Sequence, residues 1–406
     1  MSAPTGSLAA AVAGDPADPE LVRRARAWLS RTFEPGDGEV VRWVERSGPV
    51  AAVRALVAGT APAGVRRRAG RRSGTDQSLA DLAVAARAGA RLVVPEDAEW
   101  PRAALHCLTV AQHRHGSTDR TTALVPPLAL WVRGGPRLDE LVDRSVAVVG
   151  SRASTQYGDH VAGDLSAGLA TRGWTTVSGA ATGIDAAAHR GALAAGAPTV
   201  AVLACGVDRA YPQGNARLIA RILEDGLVVS ESPPGCAPLG HRFLVRNRLI
   251  AALAQGTVVV EAAARSGSLA TAKRALDLGR PVMAVPGPVT AATSVGVHQL
   301  LRSERDVQVV TSAAEVLEAV GRFGVDLAGP PPRPADVRDD LSDVARRVLD
   351  ACPVRTGVPP ERLAAVAGCA ELDALRVLPV LELHGLVERT PTGWRVARPQ
   401  PQPHGA

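Results

Sequence analysis

Several kinds of residue are scarce in this 406-residue chain, and each scarcity excludes a class of protein. The five cysteines stand without Cys-x-x-Cys spacing at Cys107, Cys205, Cys236, Cys352 and Cys369. That pattern argues against a disulfide framework or a zinc site and fits a reducing cytoplasm. No apolar run reaches the length of a membrane span, and the N-terminus lacks the basic start and apolar block of a signal peptide. We therefore expect a cytoplasmic protein with no membrane span and no bound metal.

Aromatic residues and lysine are also rare. Aromatics make up 3% of the chain, and Lys273 is the only lysine among 46 basic residues. The codons of arginine, alanine, glycine, proline and valine are all rich in G and C, so genome bias explains the preference for arginine. The formal net charge of +6 permits a polyanionic partner without requiring one.

The middle of the chain alternates apolar β-branched runs with segments of helical period. The runs are residues 145–149, 175–178, 199–204, 227–230, 257–262, 281–285 and 307–310. Continuously apolar strands separated by helices predict a doubly wound parallel sheet covered on both faces, an α/β fold of extended Rossmann-like type. Ligands of such sheets bind beyond the carboxyl ends of the strands.

The two flanks of this region have different patterns. Residues 20–59 predict short helices, and the segment 64–74, with five arginines and no acid, predicts a solvated loop or alternatively a nucleic-acid-binding arm. Residues 328–338 are rich in proline, and 341–397 predict three helices followed by a hairpin, the order of a winged helix. The predicted domains are a helical N-terminal domain (1–88), a Rossmann-like domain (89–325), a linker (326–340), a winged-helix domain (341–397) and a disordered tail (398–406).

Three turns at predicted strand ends combine glycine or serine with the start of a helix. They are "GSR" (150–152), "SGAATGID" (178–185) and "SGSLATA" (266–272), and "RNR" (246–248) lies between them in sequence. Free N–H groups and the helix dipole favour an anion at such turns, and arginine adds forked charge. Ordinary turn geometry explains any one of these glycines equally well. Several such turns on one rim suit a chain of phosphates.

Other polar or aromatic residues have two interpretations each. Asp185 and His189 are four residues apart and form either an acid–base pair or a structural pair, of which we favour the structural pair. Glu261, at the end of a predicted strand, is either a base or a loop-holding acceptor. Phe243 belongs to the core or stacks on a base.

Taken in order, these motifs resemble the DprA/Smf family of DNA-processing proteins. The matching stretches include "VAVVGSRAST", "SGAATGIDAAAHRGAL", "VVSESPPG", "VRNRLIAALA" and "VVVEAAARSGSLATA", and the resemblance covers about 92–320. It implies a non-enzymatic, cofactor-free homodimer that binds single-stranded DNA and helps load the RecA recombinase during transformation or recombination. Single-strand binding protein is a further candidate partner, and the N-terminal helices would be a SAM or helix-hairpin-helix-like domain.

The same resemblance implies which residues meet the DNA. They are Gly150, Ser151, Arg152, Ser178, Gly179, Gly183, Arg246, Asn247, Arg248, Ser266, Gly267 and Lys273, with Phe243 as a candidate for base stacking. Thr182 departs from the pattern, because the family usually has arginine there. Neutralising three or four phosphates would make log K fall with log salt at a slope of about −2 to −3.

Two other functions remain open from the sequence. One is a nucleotide-handling Rossmann enzyme of the lysine-decarboxylase-like, phosphoribohydrolase type, which "EAAARSGSLATA" only loosely resembles. The other is a transcription factor, based on the winged helix alone. Eight arginines against seven acids in 341–398 give that domain little charge for a duplex, so protein contact is at least as well supported there.

Overall fold

A computed structural model describes residues 14–115, 123–321 and 341–397, which form two compact units. The described residues of the first unit end at 321, and those of the second are 341–397. The predicted linker and tail lie outside the described residues, as do residues 1–13. No helix in the described ranges is long and apolar enough to cross a membrane.

A nine-stranded sheet forms the centre of the first unit. Its strands are β1 (Ala90–Val93), β2 (Leu130–Arg133), β3 (Ser145–Val149), β4 (Thr175–Ser178), β5 (Thr199–Val202), β6 (Leu227–Ser230), β7 (Gly256–Val259), β8 (Val282–Ala284) and β9 (Val307–Val309). The order is β1-β2-β6-β5-β4-β3-β7-β8-β9. The seven predicted strands, β3 to β9, are all present and parallel, which confirms the predicted fold class. β1 and β2 extend the sheet antiparallel at one edge and were not predicted.

Helices of the central region cover both faces of this sheet, and the described part of the first unit contains fourteen α-helices. They are α1 (Pro19–Thr32), α2 (Gly38–Ser47), α3 (Pro49–Val57), α4 (Ala63–Ala69), α5 (Ser78–Arg87), α6 (Arg102–His115), α7 (Leu138–Asp143), α8 (Gln156–Ala170), α9 (Ile184–Ala194), α10 (Ala216–Asp225), α11 (Gly240–Leu253), α12 (Gly267–Asp277), α13 (Val295–Ser303) and α14 (Ala313–Val320). Alternate residues of β3 point to opposite faces: Val146 and Val148 pack with α8 and α9, while Ala147 and Val149 pack with α11 and α12.

The N-terminal helices enclose an apolar cluster of their own around the fully buried Trp28. The segment 64–74, for which we predicted a loop, is instead helical: α4 is followed by a 3₁₀ helix over Gly70–Gly74. Val65 and Ala69 explain the difference, because their four-residue spacing lets both side chains enter the cluster. Arg68 pairs with Glu39 at 2.6 Å on the outside of α4.

Ion pairs link these N-terminal helices to the segment that follows β1. Arg23 pairs with Asp97 and Arg26 pairs with Glu96, both at 2.7 Å. The N-terminal helices and the sheet therefore belong to the same compact unit, although the sequence suggests a domain boundary at 88–89.

The second unit contains three helices followed by a hairpin, in the predicted order. They are α15 (Asp343–Ala351), α16 (Pro360–Ala367), α17 (Glu371–Leu383), β10 (Val387–Thr390) and β11 (Gly393–Val396). An additional bridge pairs Val358, before α16, with Trp394 of β11. The outer side of α17 exposes Leu372, Leu375 and Leu383 to solvent.

The chain connections of the large sheet diverge between β3 and β7. From β3 the parallel strands proceed through β4 and β5 to β6 on one side, whereas β7 leads to β8 and β9 on the other. At such a switch point the loops after two neighbouring strands separate and leave a crevice. This crevice holds the candidate site.

Candidate nucleic-acid interface

A cleft of about 480 Å³ opens beyond the carboxyl ends of β3 and β7. It is lined by Val149, Gly150, Ser151, Arg152, Ala153, Ala181, Asp185, Phe243, Leu244, Arg246, Asn247, Ile250, Ala263, Arg265, Ser266, Gly267, Ser268 and Thr271. Three arginines and one carboxylate make its formal charge positive. The predicted turns after β3 and before α12 therefore meet at this cleft, together with the inner face of α11.

The three residues of the "RNR" stretch on α11 have different environments. Arg246 lines the cleft and is buried, with Nη1 donating to the carbonyls of Gly179, at 2.9 Å, and Val202. Burial lowers the pKa of Arg246 to about 10, although the nearby Asp185 opposes that shift, so the group stays a cation at neutral pH. Asn247 accepts from Arg246 Nε at 3.2 Å and donates to the carbonyl of Gly267 at 3.3 Å. It thus joins α11 to the start of α12.

Arg248, in contrast, lies behind the cleft. Its side chain is fully buried and makes a two-pronged ion pair with Glu231, with N–O distances of 2.6 and 2.8 Å. Arg248 Nε donates to the carbonyl of Val125 at 2.9 Å. Arg248 therefore fixes α11 from behind and is not placed to meet a phosphate, contrary to our expectation. Removing one member of such a buried pair costs about 3–5 kcal/mol.

The loops after β3 and β4 interlock through their glycines. A Cβ on Gly150 would lie 2.6 Å from Ile184 Cγ1, and one on Gly183 would lie 2.3 Å from the carbonyl oxygen of Ser151. Gly183 also has φ of 78°, which favours glycine. Thr182 adds a hydrogen bond between the two loops, since its hydroxyl donates to the carbonyl of Arg152 at 3.2 Å. These two glycines let the two loops approach each other closely.

The turn after β4 is held in a strained shape. Ala180 has φ of 53°, a left-handed conformation that costs a residue with Cβ about 1–2 kcal/mol. Asp185 accepts from the N–H groups of Gly179 and Ala181 at 3.1 and 3.4 Å. Asn215 donates to the carbonyls of Ala180 and Ala181. Burial raises the pKa of Asp185, while Arg246 and these N–H groups oppose the increase. Asp185 therefore serves as a structural acceptor in this turn.

An arginine and two aromatic rings form a row at the mouth of the cleft. The guanidinium of Arg152 lies 5.5 Å from the centre of the Phe243 ring, and Phe243 lies 5.5 Å from Tyr211 at a tilt of 47°. Arg152 is exposed, and Tyr211 is 41% exposed. Phe243 is a predicted site residue, whereas Tyr211, which is distant from the other site residues in sequence, is not. The row offers two tilted aromatic rings with a cation at one end.

The opposite wall of the cleft is the beginning of α12. Ser266 caps this helix, its hydroxyl accepting from the N–H of Ser268 at 3.4 Å. The exposed Arg265 precedes the cap, so the positive end of the helix dipole and a guanidinium lie together at the cleft. Arg265 was not among our predicted residues. The sequence could have indicated Arg265, because it directly precedes the serine that caps the helix in "RSGS".

The side chains that we considered for acid–base chemistry all accept or donate hydrogen bonds within the fold. His189 is fully buried and bonds through Nδ1 to Thr199 Oγ1 at 2.8 Å rather than to Asp185, and burial lowers its pKa to about 3. Glu261 accepts from the N–H and the hydroxyl of Thr155 at 2.9 and 2.6 Å, and from the hydroxyl of Thr293 at 3.2 Å. Both side chains therefore have structural roles in the described protein.

The structure brings most of the predicted residues together, but not all. Eight line the cleft: Gly150, Ser151, Arg152, Phe243, Arg246, Asn247, Ser266 and Gly267. Gly179 and Gly183 lie directly behind it, packed against the side chain of Arg246 and the backbone of Ser151. Ser178 is buried and donates to the carbonyl of Val148 at 2.7 Å. Lys273 lies outside the cleft with its side chain 72% exposed, 3.8 Å from Asp277.

The first turn of α11 is held by a carboxylate from the loop between α1 and α2. No side chain caps this helix. Glu34 instead accepts two hydrogen bonds from Arg242, both at 3.0 Å, and contacts His241 Nε2 at 3.4 Å. It also accepts from Arg72 Nη1 at 2.9 Å. The N-terminal helices therefore contact the helix that carries Phe243 and Arg246.

The fold and the cleft together define a Rossmann-like protein with a basic crevice at its topological switch point. Comparison with known proteins identifies the family. A sequence model of the DNA recombination-mediator protein A family matches residues 91–321. The DNA processing protein DprA of Mycobacterium tuberculosis is 44% identical over 375 residues, covering 92% of this chain and 94% of that protein. Protein Smf of Escherichia coli is 39% identical over 272 residues, covering 66% of this chain and 71% of that protein.

A solved structure agrees with these relatives. The X-ray structure of DprA from Streptococcus pneumoniae superimposes with a TM-score of 0.59 at 30% sequence identity, covering 73% of this chain and 96% of that chain. The chain belongs to the DNA recombination-mediator protein A family, which includes the proteins named DprA and Smf. Its role lies in DNA processing and recombination.

The Glu34 network predicts a pH-dependent contribution to stability. Burial alone would raise the pKa of Glu34, but the hydrogen bonds from Arg242, Arg72 and His241 outweigh it and hold the pKa at about 2, below the ordinary 4.5. Glu34 therefore stabilises the fold above pH 4.5, and this contribution disappears as pH falls towards 2. We expect Glu34→Gln to destabilise the protein in urea unfolding at pH 7, with a deficit that shrinks on acidification. If the variant lost the same free energy of unfolding at every pH, the role of the ionised Glu34 in stability would be contradicted.

Proposed function

We propose that the cleft binds single-stranded DNA, chiefly through its backbone phosphates. The row of Arg152, Phe243 and Tyr211 at the mouth of the cleft is the observation that carries the proposal. Arginine at the end of an aromatic surface suits a phosphate next to a stacked base, and such stacking contributes about 1–3 kcal/mol per base. In a duplex the base faces are covered by neighbouring bases, so the row favours a single strand.

The charges of the cleft support the same ligand. Arg152 and Arg265 are exposed, and neither has an acidic partner in the described part of the chain. Arg246 adds a buried cation between them, and α12 points its N-terminus at the same space. Several cationic positions along one cleft suit successive phosphates. Guanidinium groups and a helix N-terminus suit phosphates rather than base edges, so sequence preference should be slight.

The protein acts, in this proposal, by binding rather than by catalysis. The carboxylates of Asp185 and Glu261 accept hydrogen bonds from backbone or threonine groups, and His189 is buried against Thr199. A nucleotide-cleaving enzyme would need such groups as acids or bases. Their contacts here support a structural role for all three. Release of free base from a nucleoside monophosphate by the purified protein would instead favour the phosphoribohydrolase alternative.

Family membership supports the rest of the proposed role. The protein would protect incoming single strands as a homodimer and help load RecA onto DNA coated by single-strand binding protein, during natural transformation or another recombination process. The second unit, with little net charge and exposed leucines on α17, suits contact with a protein better than contact with a duplex.

The first test compares Arg152→Ala with Lys273→Ala. Both variants lose one exposed cation, but only Arg152 lies at the cleft. Fluorescence anisotropy with a labelled single strand across a salt series should show weaker binding for Arg152→Ala. Its log K versus log salt slope should be shallower by about 0.7, the value for one lost phosphate contact. Lys273→Ala should match the wild type, and duplex DNA should bind all three proteins more weakly. Equal losses in the two variants would reject the cleft as the binding site.

A second test adds a charge where the family usually has one. Thr182 is exposed, and its hydroxyl contacts the backbone of Arg152, so an arginine there would lie at the rim of the cleft. We expect Thr182→Arg to bind single strands more tightly, with a salt slope steeper by about 0.7. Thr182→Gln is the uncharged control and should show no increase in slope. Identical binding by the two variants would contradict the predicted path of the phosphates.

A third test addresses RecA. On single-stranded DNA coated by single-strand binding protein, the wild type should shorten the lag before RecA begins to hydrolyse ATP. Arg152→Ala should lose this effect in proportion to its weaker DNA binding, and Lys273→Ala should retain it. A lag that the wild type leaves unchanged, at concentrations that saturate the DNA, would reject the loading role.

A further inference from the structure

The arginine-rich segment 64–74 lies near the cleft, although 75 positions separate Gly74 from Val149, the first cleft residue in the sequence. Arg72 of its 3₁₀ helix and Arg242 of α11 bond to the same carboxylate, that of Glu34. Arg242 directly precedes Phe243, which carries the stacked Arg152. A continuous series of contacts therefore runs from the mouth of the cleft to the arginine-rich segment.

The arginines of this segment fall into two groups. Arg68 and Arg72 are paired with Glu39 and Glu34, and they hold the segment to the helical core. The others, Arg66, Arg67 and Arg71, are exposed and have no acidic partner in the described residues. Arg66 donates only to a carbonyl, that of Gly59, so its charge is not neutralised. The segment itself contains no acid.

The surface between the two regions is also open and basic. His241 has 48% of its side chain exposed, and Arg72 has 45%. Glu34, the acid between them, is only 15% exposed, and its oxygens already accept bonds from Arg72, His241 and Arg242. A backbone leaving the cleft at Phe243 would therefore meet the guanidinium groups of Arg242 and Arg72 along this surface, with the carboxylate of Glu34 already engaged.

We propose that the DNA-binding surface continues from the cleft over the first turn of α11 to Arg67 and Arg71, where it binds additional phosphates of the same single strand. The ligand class is the phosphate backbone of single-stranded DNA longer than the cleft can hold. This inference rests on the proposed function, because it needs the strand to occupy the cleft. It assigns the N-terminal helices a share in DNA binding in addition to their packing against the sheet.

The experiment compares a short and a long oligomer. A single strand of about 5 nucleotides should fill only the cleft, whereas one of about 16 should also reach the arginine-rich segment. The double variant Arg67→Ala/Arg71→Ala should bind the short oligomer like the wild type. For the long oligomer its salt slope should be shallower by about 1.4, equivalent to two lost phosphate contacts. The readout is fluorescence anisotropy of the full chain across a salt series.

A matched control removes two exposed arginines elsewhere. The first turn of α13 contacts Ala262 near the cleft. Arg302 and Arg305 lie at the other end of α13 and just beyond it, so they are away from the cleft. The variant Arg302→Ala/Arg305→Ala has the same net charge and should bind both oligomers like the wild type. If Arg67→Ala/Arg71→Ala leaves the long oligomer unaffected, or weakens both oligomers equally, the extended surface is rejected. Failure of the wild type to bind the short oligomer would instead reject the cleft, which separates the two proposals.

Discussion

The divergence of the chain connections between β3 and β7 is the constraint on which the cleft depends. Consecutive strands move away on both sides of this line, and the connection that passes from one side to the other, between β6 and β7, contains α11. The loops after β3 and β7 can then lie apart, and α11 enters the gap before β7. Every cationic group of the cleft comes from one of these three segments. The sheet order therefore determines where a ligand can bind, and the side chains determine which ligand it is.

Within that gap, the arginines divide into buried and exposed groups with different roles. Arg248 is neutralised by Glu231 and holds α11 in place, and Arg246 is fixed by carbonyls of two neighbouring strand ends. Arg152 and Arg265 remain at the surface, where they can adjust to a flexible ligand. The loop that carries Arg152 interlocks with the loop after β4 through their glycines, and Asp185 fixes the turn after β4. A rigid base with a few mobile cations suits a polymer that adapts its own shape.

The sequence predicted the central strands well because each is a short, continuously apolar run. It missed β1 and β2, which contain arginines and pair antiparallel at the edge. The separate environments of Arg246 and Arg248 could have been inferred: on a helix, residues two apart point about 200° away from each other, so both cannot face one cleft. The contacts of Tyr211 with Phe243 and of Glu34 with Arg242 could not be inferred, since they join residues distant in sequence through tertiary packing alone.

The burial of Arg246 has a consequence for the entropy of a phosphate contact. An exposed phosphate contact gains much of its free energy from the release of condensed counterions, which is why added salt weakens it. Arg246 has already lost its water, and its charge is compensated by carbonyl oxygens of Gly179 and Val202 rather than by mobile ions. A phosphate that reaches it meets a preorganised cation and gives up little entropy of ordering there. The counterions released by this contact come from the DNA, so its salt dependence matches that of the outer arginines, and its advantage is that the side chain is ordered before the strand arrives.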